Sequence, residues 1–282
     1  MLSKYTIHMK SVLITGGNGN IAKMIKNNLS SEFNITCITR NDFDMIDTKS
    51  VSTYLSNNHF DILIHTAIIG GRRTKEETAD VVYKNLLMFE NMMMFSHKFQ
   101  LIINFDSGAI YDRSTDIYCR EESELLSVPT DYYGFSKYLI YKRSLQYKNV
   151  VNFRIFNIFH SNEEPDRFIK SCLLAKKNGT NVTIFQDKYF DFMYEDDFIR
   201  IVRHYINNFS NELPKTFNLS YTNKCKLSEI ALMIINNKSQ IEVIEGSCSN
   251  NYCGDGNMLE NLCIGLDGLE TGLKKYEELF LS

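Results

Sequence analysis

The sequence predicts an α/β protein, with a doubly wound parallel sheet of the Rossmann type and a smaller C-terminal α/β lobe. Two observations carry this prediction. Short apolar segments alternate with stretches of helical periodicity, which is typical of parallel strands covered by helices on both faces. The first apolar segment also leads into a glycine-rich turn, "TGGNGN" at 15–20, that opens the first helix.

The first 160 residues predict one Rossmann domain. Strands are predicted where apolar runs are nearly continuous, over 11–17, 34–40, 60–67, 101–107 and 150–157. Helices are predicted between them, over 20–30, 48–57, 76–97 and 131–148. Asp47 is a suitable N-cap for the second of these helices.

The pattern becomes less regular after Asn157, and residues 161–282 predict a smaller lobe. Helices are expected near 166–178, 196–208 and 227–237, and short strands near 182–186 and 216–219. Parts of 180–210 are expected to pack back on the first domain. The lobe would cover the carboxyl edge of the sheet, where ligands bind in this architecture.

Composition narrows the class of protein. The chain has 282 residues, 44% hydrophobic and 23% charged, and a net charge of −3, which favours a globular protein without a broad basic field for nucleic acid. No apolar run reaches the length of a membrane span, and the N-terminus lacks a signal peptide's apolar core, so we expect a cytoplasmic protein. The seven scattered cysteines predict reduced thiols and no metal site.

The glycine loop predicts a diphosphate site. Gly16 and Gly19 allow a tight turn and a close approach of the backbone to a ligand, and the small Ala22 lets the helix pack on the strand. Asn20 and Ile21 begin the helix, whose N–H groups and dipole favour an anion. In the first strand–turn–helix of such a pattern, this loop predicts a bound dinucleotide.

The second strand bears on which dinucleotide binds. The strand is expected to end at Arg40, whose guanidinium can pair with a 2′-phosphate, and this favours NADP. A solvated arginine at a strand end is the alternative, and the nearby Asp42 leaves NAD possible. Asp44 could accept a hydrogen bond from the adenine amino group.

A tyrosine and a lysine stand four residues apart in "DYYGFSKY" at 131–138. On a helix, Tyr133 and Lys137 share one face, whereas Tyr132 and Tyr138 point elsewhere. An unperturbed tyrosine has a pKa of about 10, and a nearby ammonium group would lower it. Ser107, at the end of an earlier strand, could hydrogen-bond the oxygen of a carbonyl or alcohol. Together these residues predict hydride transfer with a tyrosine as proton donor.

The order and spacing of these motifs resemble the extended short-chain dehydrogenase/reductases, in particular the NAD-dependent epimerase/dehydratase family that acts on nucleotide sugars. The segments that carry the resemblance are "GGNGNIA" (16–22), "HTA" (65–67), Asn85 in "YKNLL", "DSGAIYD" (106–112), "YGFSK" (133–137), "RIFN" (154–157) and "FDFMYEDD" (190–197). "TRNDFDMIDTKSV" (39–51) and the glycines at 70–71 are similar to those of 4-keto reductases such as GDP-fucose synthase and dTDP-4-dehydrorhamnose reductase.

The resemblance implies roles for individual residues. Ser107, Tyr133 and Lys137 are implied to be catalytic, and Tyr133 and Lys137 also to contact the cofactor. Ala67 is implied to line the cofactor, with Asn85 behind it. Phe156 and Asn157 are implied to lie at the nicotinamide and substrate end, and Gly108 is implied to contact the substrate.

Departures from the family pattern narrow the expected reaction. Dehydratases carry an Asp–Glu pair where this chain has Gly108 and Ala109. GDP-fucose synthase uses a cysteine at the position of Ala109, and its histidine corresponds to a position near Arg167. We therefore expect NADP-dependent reduction, with NAD possible, of the 4-keto group of a nucleotide-diphospho-6-deoxyhexose. The alternatives are a nucleotide-sugar 4-epimerase, a bifunctional 3-epimerase and 4-reductase, and a dinucleotide-binding protein without turnover.

The sequence also bears on which cations would hold a substrate diphosphate and on whether the chain forms a dimer. Phe190 replaces the arginine that often holds the substrate diphosphate in the family, so other cations would be needed. The candidates are Arg72, Arg73, Arg167 and Lys188, although solvated loop charges remain an alternative for the first two. In the family, helices matching 76–97 and 131–148 often pair across a dimer, so we expect a homodimer.

Overall fold

The computed structural model describes residues 9–71, 76–244 and 250–281. The strands are β1 (Ser11–Thr15), β2 (Asn34–Cys37), β3 (Ile62–His65), β4 (Leu101–Ser107), β5 (Ile117–Arg120), β6 (Val150–Ile155), β7 (Ile158–Phe159), β8 (Val182–Ile184), β9 (Met193–Tyr194), β10 (Thr216–Leu219), β11 (Ile241–Val243) and β12 (Tyr252–Gly254). The α-helices are α1 (Asn20–Leu29), α2 (Thr48–Asn57), α3 (Asp80–Met93), α4 (Tyr132–Ser144), α5 (Phe168–Asn178), α6 (Glu195–Asn208), α7 (Leu227–Ile235), α8 (Asn257–Glu260) and α9 (Gly268–Leu281).

Six parallel strands form the central sheet, in the order β10-β6-β4-β3-β1-β2. This confirms the predicted doubly wound fold. The chain starts at β1, moves outward to β2 and then returns to β3 on the other side of β1. Ligands of such sheets bind in the crevice at the carboxyl ends of the strands, where the strand order reverses. Here the crevice lies beyond Thr15 of β1 and His65 of β3, which are partners in register.

Both faces of the sheet are covered, because successive residues of a strand point to opposite sides. Val12 and Ile14 of β1 lie in a core that includes side chains of α1 and α6. Leu13 lies in the opposite core, formed with side chains of α2, α3 and α4. All three side chains are fully buried. The near-continuous apolar runs of the sequence therefore correspond to strands buried on both faces.

Several elements differ from the sequence prediction. Strand β10 falls in the range assigned to the C-terminal lobe, yet it pairs with β6 as an edge strand of the central sheet. Strand β2 ends at Cys37, before the predicted 34–40, because the backbone turns at Thr39, which donates from its N–H to Asp42 at 2.7 Å. Helix α3 is shorter at both ends than the predicted 76–97: it begins at Asp80 and ends at Met93, and a separate 3₁₀ turn forms at 96–98.

Helix α4 is likewise shorter than the predicted 131–148. Asp131 is its N-cap, accepting from the Gly134 N–H at 2.8 Å, and the helix ends at Ser144. The predicted N-cap of α2 is present, since the Asp47 side chain accepts from the Lys49 N–H at 3.1 Å. Such caps satisfy backbone donors that have no partner within the helix.

Part of the C-terminal region packs around a third core. Strands β8 and β11 form a two-stranded parallel pair, and α5, α7 and α9 enclose side chains such as Leu173, Ile230 and Tyr276. The division of the chain at residue 160 stays a prediction. In the described ranges, no helix combines the length and apolar character that crossing a bilayer requires.

Candidate active site

The turn after β1 lies directly against the loop that follows β3. Gly16 has a φ of +66°, a left-handed conformation that side chains rarely adopt. A Cβ at this position would lie 2.9 Å from the Ala67 Cα, too close for any side chain. The Gly19 N–H donates to the Gly16 carbonyl at 2.8 Å and closes the turn. The sequence-predicted Gly16, Gly19 and Ala67 are therefore brought together at the crevice.

Helix α1 begins at this turn with its first N–H groups available. Gly19 occupies the N-cap position, no side chain caps the helix, and its first turn has no acidic residue. Asn20 is exposed and Ile21 partly exposed. Free N–H groups and the positive end of the helix dipole favour an anion, so these residues fit a diphosphate group.

Arg40 and Asp44 lie beyond the end of β2, in the turn that leads to α2. Both side chains are exposed. Among the residues that the structure describes, Arg40 forms no ion pair with an acidic side chain. Asp42 accepts hydrogen bonds from the Thr39 N–H and Oγ1, at 2.7 and 2.9 Å, and these bonds lower the pKa of its carboxyl group. Arg40 is thus available to an anionic ligand, whereas Asp42 is engaged in the turn.

Asn85 on α3 holds the loop after β3 from behind. Its Oδ1 accepts from the Ile69 N–H at 2.8 Å, and its Nδ2 donates to the Ile69 carbonyl at 2.9 Å. The same Nδ2 donates to the Ser136 Oγ at 3.1 Å, which links this loop to α4. The side chain is buried. Asn85 therefore positions the loop that contains Ala67 relative to the helix that contains Tyr133.

Ser107, Tyr133 and Lys137 meet at the carboxyl end of β4. Ser107 is the last residue of that strand, and its Oγ accepts from the Ala109 N–H at 3.2 Å. Tyr133 and Lys137 lie one turn apart on α4, and the Ser107 side chain is near enough to Tyr133 to lower its pKa by hydrogen bonding. The Lys137 Nζ lies 5.9 Å from the centre of the Tyr133 ring. The structure thus brings together the three side chains that the sequence predicts as catalytic.

Burial dominates the electrostatics of this group. It lowers the pKa of Lys137 from 10.5 to about 8, with the Asp106 carboxylate opposing the change. Burial also raises the pKa of Tyr133 above its ordinary range, while the hydrogen bond with Ser107 acts in the opposite direction. The sequence predicts that Lys137 lowers the pKa of Tyr133, but burial has the larger effect here. Tyr133 is therefore protonated at neutral pH and suited to donate a proton.

A buried ion pair that the sequence analysis did not identify supports the trio. The Arg154 Nε on β6 donates to the Asp106 Oδ2 at 2.9 Å, and both side chains are almost wholly buried. The Asp106 Oδ1 accepts from the Ser107 N–H at 2.8 Å. Charged residues inside otherwise apolar strands are a sequence signal for such a pair, because buried charges need partners. Asp106 fixes the backbone of Ser107 and places a negative charge near Lys137.

Glu77 also supports the site, and the sequence analysis did not identify it. Its Oε1 accepts from the Gly71 N–H at 2.6 Å, and its Oε2 accepts from the Tyr133 N–H at 3.2 Å. A Cβ on Gly71 would lie 3.0 Å from the Tyr133 ring. Glu77 thus ties the loop after β3 to the first turn of α4, beside the tyrosine. Arg72 and Arg73, predicted to hold a diphosphate, lie outside the described residues.

The predicted substrate end lies beyond β6. A Cβ on Gly108 would lie 2.5 Å from the Phe156 ring, so these two residues are in close contact. Arg167, at the N-cap position of α5, donates from its guanidinium to the Asn157 Oδ1. The Lys188 Nζ lies 5.7 Å from the centre of the Phe190 ring. Gly108, Phe156, Asn157 and Arg167 thus form one continuous region next to Ser107.

Similarity to known proteins agrees with this geometry. The family model described as "NAD dependent epimerase/dehydratase family" matches residues 12–220. GDP-L-colitose synthase of Yersinia pseudotuberculosis is 22% identical over 233 residues, covering 74% of this chain and 75% of that protein.

Two solved structures share the fold. A GDP-mannoheptose C4 reductase from Campylobacter jejuni, with NADP bound, is 17% identical and covers 97% of this chain and 99% of its own, with a TM-score of 0.78. A dTDP-4-dehydrorhamnose reductase from Clostridium acetobutylicum is 17% identical and covers 96% and 99%, with a TM-score of 0.79. Because the family model spans both the glycine loop and the Ser–Tyr–Lys group, this chain belongs to the NAD-dependent epimerase/dehydratase family.

Proposed function

We propose that the protein is an NADP-preferring reductase of the 4-keto group of a nucleotide-diphospho-6-deoxyhexose, acting in activated-sugar biosynthesis. One observation carries the proposal. Ser107 and Lys137 are buried and Tyr133 is half-buried beside them, while Gly108 and Ala109 next to the group offer no acid or base for carbon-acid chemistry. The similar proteins support it, since their names describe a GDP-sugar synthase, a GDP-sugar C4 reductase and a dTDP-sugar reductase.

The crevice fits a nicotinamide dinucleotide. The close approach of Gly16 to Ala67 and the uncapped start of α1 leave Gly19, Asn20 and Ile21 with backbone groups suited to a diphosphate. At the adenine end, Arg40 would hold a 2′-phosphate and Asp44 the adenine. Asn85 would support the loop of Ala67 from behind. At the nicotinamide end, the cofactor would contact Phe156, Tyr133 and Lys137. When bound, the dinucleotide supplies a hydride.

The residues of the trio act on the oxygen of the ketone. Ser107 donates a hydrogen bond to the carbonyl oxygen and fixes its position. As the carbonyl carbon is reduced, negative charge develops on that oxygen, and the protonated Tyr133 transfers its phenolic proton to it. The Lys137 ammonium then stabilises the phenolate that remains. Asp106, held by Arg154, helps to keep Lys137 charged inside the site.

Substrate binding is assigned to the region beyond β6 and to the C-terminal lobe. We assign residues 1–160 to dinucleotide binding and 161–282 to a substrate-binding lobe. Gly108 and Asn157 would contact the sugar, and Arg167, next to Asn157, would contribute positive charge for the diphosphate. We assign the same role to Arg72 and Arg73.

We also propose a cytoplasmic homodimer formed through α3 and α4. Large apolar side chains are exposed on or beside these helices, with Tyr83 at 64%, Leu145 at 56% and Met94 at 55%. Burying them against a second copy would remove apolar surface from water. The free cysteines among the described residues are consistent with a reducing compartment. Light scattering of the purified chain measures its mass and tests the dimer.

An assay of NADPH oxidation tests the proposed reaction. The purified chain is mixed with NADPH and either GDP-4-keto-6-deoxymannose or dTDP-4-keto-6-deoxyglucose, and the product is identified by mass spectrometry and NMR. We expect stoichiometric NADPH consumption and a 4-hydroxy product. Interconversion of sugars without net NADPH consumption would instead identify a 4-epimerase. Solvent deuterium at C3 or C5 in D₂O would reveal an additional epimerase activity, and absence of turnover contradicts the proposal.

A further inference from the structure

Tyr252, far from the trio in sequence, places its hydroxyl group beside Gly108, the residue that follows Ser107. A Cβ on Gly108 would lie 2.9 Å from the Tyr252 Oη and 2.5 Å from the Phe156 ring. The space above the Gly108 Cα is therefore filled by these two aromatic side chains. No sequence motif contains Tyr252, because it comes from the C-terminal region and reaches the site only through the fold.

The Tyr252 side chain is held in one orientation. Its backbone N–H donates to the Tyr189 carbonyl at 2.9 Å, and its carbonyl accepts from the Asp191 N–H at 3.1 Å. Its ring packs against Phe156 at 5.0 Å and 67°, and against Phe190 at 5.3 Å. Only 6% of the residue is exposed. A phenol fixed by backbone bonds and ring contacts keeps its hydroxyl pointed at the end of β4.

The Tyr252 hydroxyl also belongs to the electrostatic environment of the trio. A charge on Tyr252 would raise the pKa of Tyr133 and that of Arg113. Arg113 lies 5.8 Å from the centre of the Tyr133 ring and pairs with Asp131, the N-cap of α4, at 2.6 Å. The Tyr252 phenol and the Arg113 guanidinium therefore both act on the electrostatics of Tyr133, the residue to which the proposed mechanism assigns the proton.

We propose that Tyr252 is a specificity-determining residue that donates a hydrogen bond to a sugar oxygen next to the reacting carbonyl. This inference rests on the proposed function. The site carries an uncharged donor at the position where dehydratases of the family carry a carboxylate. A neutral phenol can hold the sugar, but it is a poor base for removing a proton from carbon at neutral pH. Gly108 is required because any side chain there would displace Phe156 and Tyr252.

Tyr252→Phe tests this assignment, since it removes one oxygen and keeps the ring. We measure kcat and KM with NADPH and whichever of GDP-4-keto-6-deoxymannose and dTDP-4-keto-6-deoxyglucose the unmodified chain reduces. We expect kcat/KM to fall about tenfold or more, the ratio that one hydrogen bond of about 1.4 kcal/mol represents. The dissociation constant of NADPH should stay within about twofold, since Tyr252 lies on the substrate side.

Tyr205→Phe is the matched control. Tyr205 is fully buried, and its hydroxyl donates to the Pro214 carbonyl at 2.7 Å in the core beneath the sheet. This variant should lose thermal stability but keep kcat/KM. Unchanged kcat/KM in Tyr252→Phe, or an equal loss in both variants, would overturn the inference. If the unmodified chain reduces neither sugar, the proposed function fails first, and the assignment of Tyr252 fails with it.

Discussion

Lys137→Met should make the protein more stable at neutral pH while abolishing its activity. Burial lowers the pKa of Lys137 from 10.5 to about 8, so keeping its ammonium group charged in the folded chain lowers the free energy of unfolding. At about 1.4 kcal/mol for each pKa unit, this reduction, which Lys137→Met removes, is about 3 kcal/mol. The variant also loses the hydrogen bond from Nζ to the Phe105 carbonyl, which reduces this gain in stability by about 1 kcal/mol. Asp106 keeps its partner Arg154, so the net gain is about 2 kcal/mol.

The dependence on pH follows from the direction of the pKa change. Below pH 8 the lysine is charged in both folded and unfolded chains, and the cost of burial is present in full. Between about 8 and 10.5 the unfolded chain binds more protons, so the unmodified protein gains stability as pH rises. The gain in free energy of unfolding from Lys137→Met should therefore become smaller over this range. Urea unfolding of both proteins at several pH values measures the difference.

Lys224→Met is the matched control, and we expect it to lower the free energy of unfolding rather than raise it. The Lys224 side chain is only 7% exposed, but its Nζ pairs with both Asp191 carboxylate oxygens, at 3.0 and 3.1 Å. Removing it leaves a buried carboxylate without its cation, which costs about 3–5 kcal/mol. If Lys137→Met is destabilised as much as Lys224→Met, the reasoning on the buried ammonium is wrong.

Two further predictions concern the dinucleotide. Arg40→Ala should weaken NADPH binding by about tenfold and leave NADH binding nearly unchanged, because only NADPH has the 2′-phosphate; equal losses in fluorescence titrations would contradict the preference for NADP. Gly16→Ala should weaken both cofactors by more than about tenfold, because its Cβ would meet Ala67 at 2.9 Å. Gly179 has the same φ of +66° but no atom within 4 Å of its Cβ position, so Gly179→Ala should cost about 1 kcal/mol of stability and leave binding intact.

The sequence was sufficient where local patterns determine the structure. Continuous apolar runs predicted five strands of the sheet, because strands covered on both faces need apolar residues at every position. The glycine loop and the i, i+4 spacing of Tyr133 and Lys137 predicted neighbours that are close along the chain. Ser107 could be added because the carboxyl ends of parallel strands meet at one edge of the sheet.

Other features depend on contacts between distant segments, which one sequence does not reveal. Strand β10 is only four residues long, and its pairing with β6 gives no local signal. Glu77 and Tyr252 reach the site through loops and a short strand whose positions are set by packing. The pKa of Tyr133 was misjudged for a similar reason, since its burial comes from the whole fold rather than from the spacing of two residues.

The proposed mechanism assigns the proton of ketone reduction to Tyr133. The most direct measurement is the single-turnover rate of NADPH oxidation with the 4-keto sugar that the chain reduces, in Tyr133→Phe and in Tyr132→Phe, whose tyrosine is 45% exposed. We predict a loss of about 10²–10⁴-fold in Tyr133→Phe with NADPH affinity unchanged, and an unaltered rate in Tyr132→Phe. A full rate in Tyr133→Phe would show that another group donates the proton.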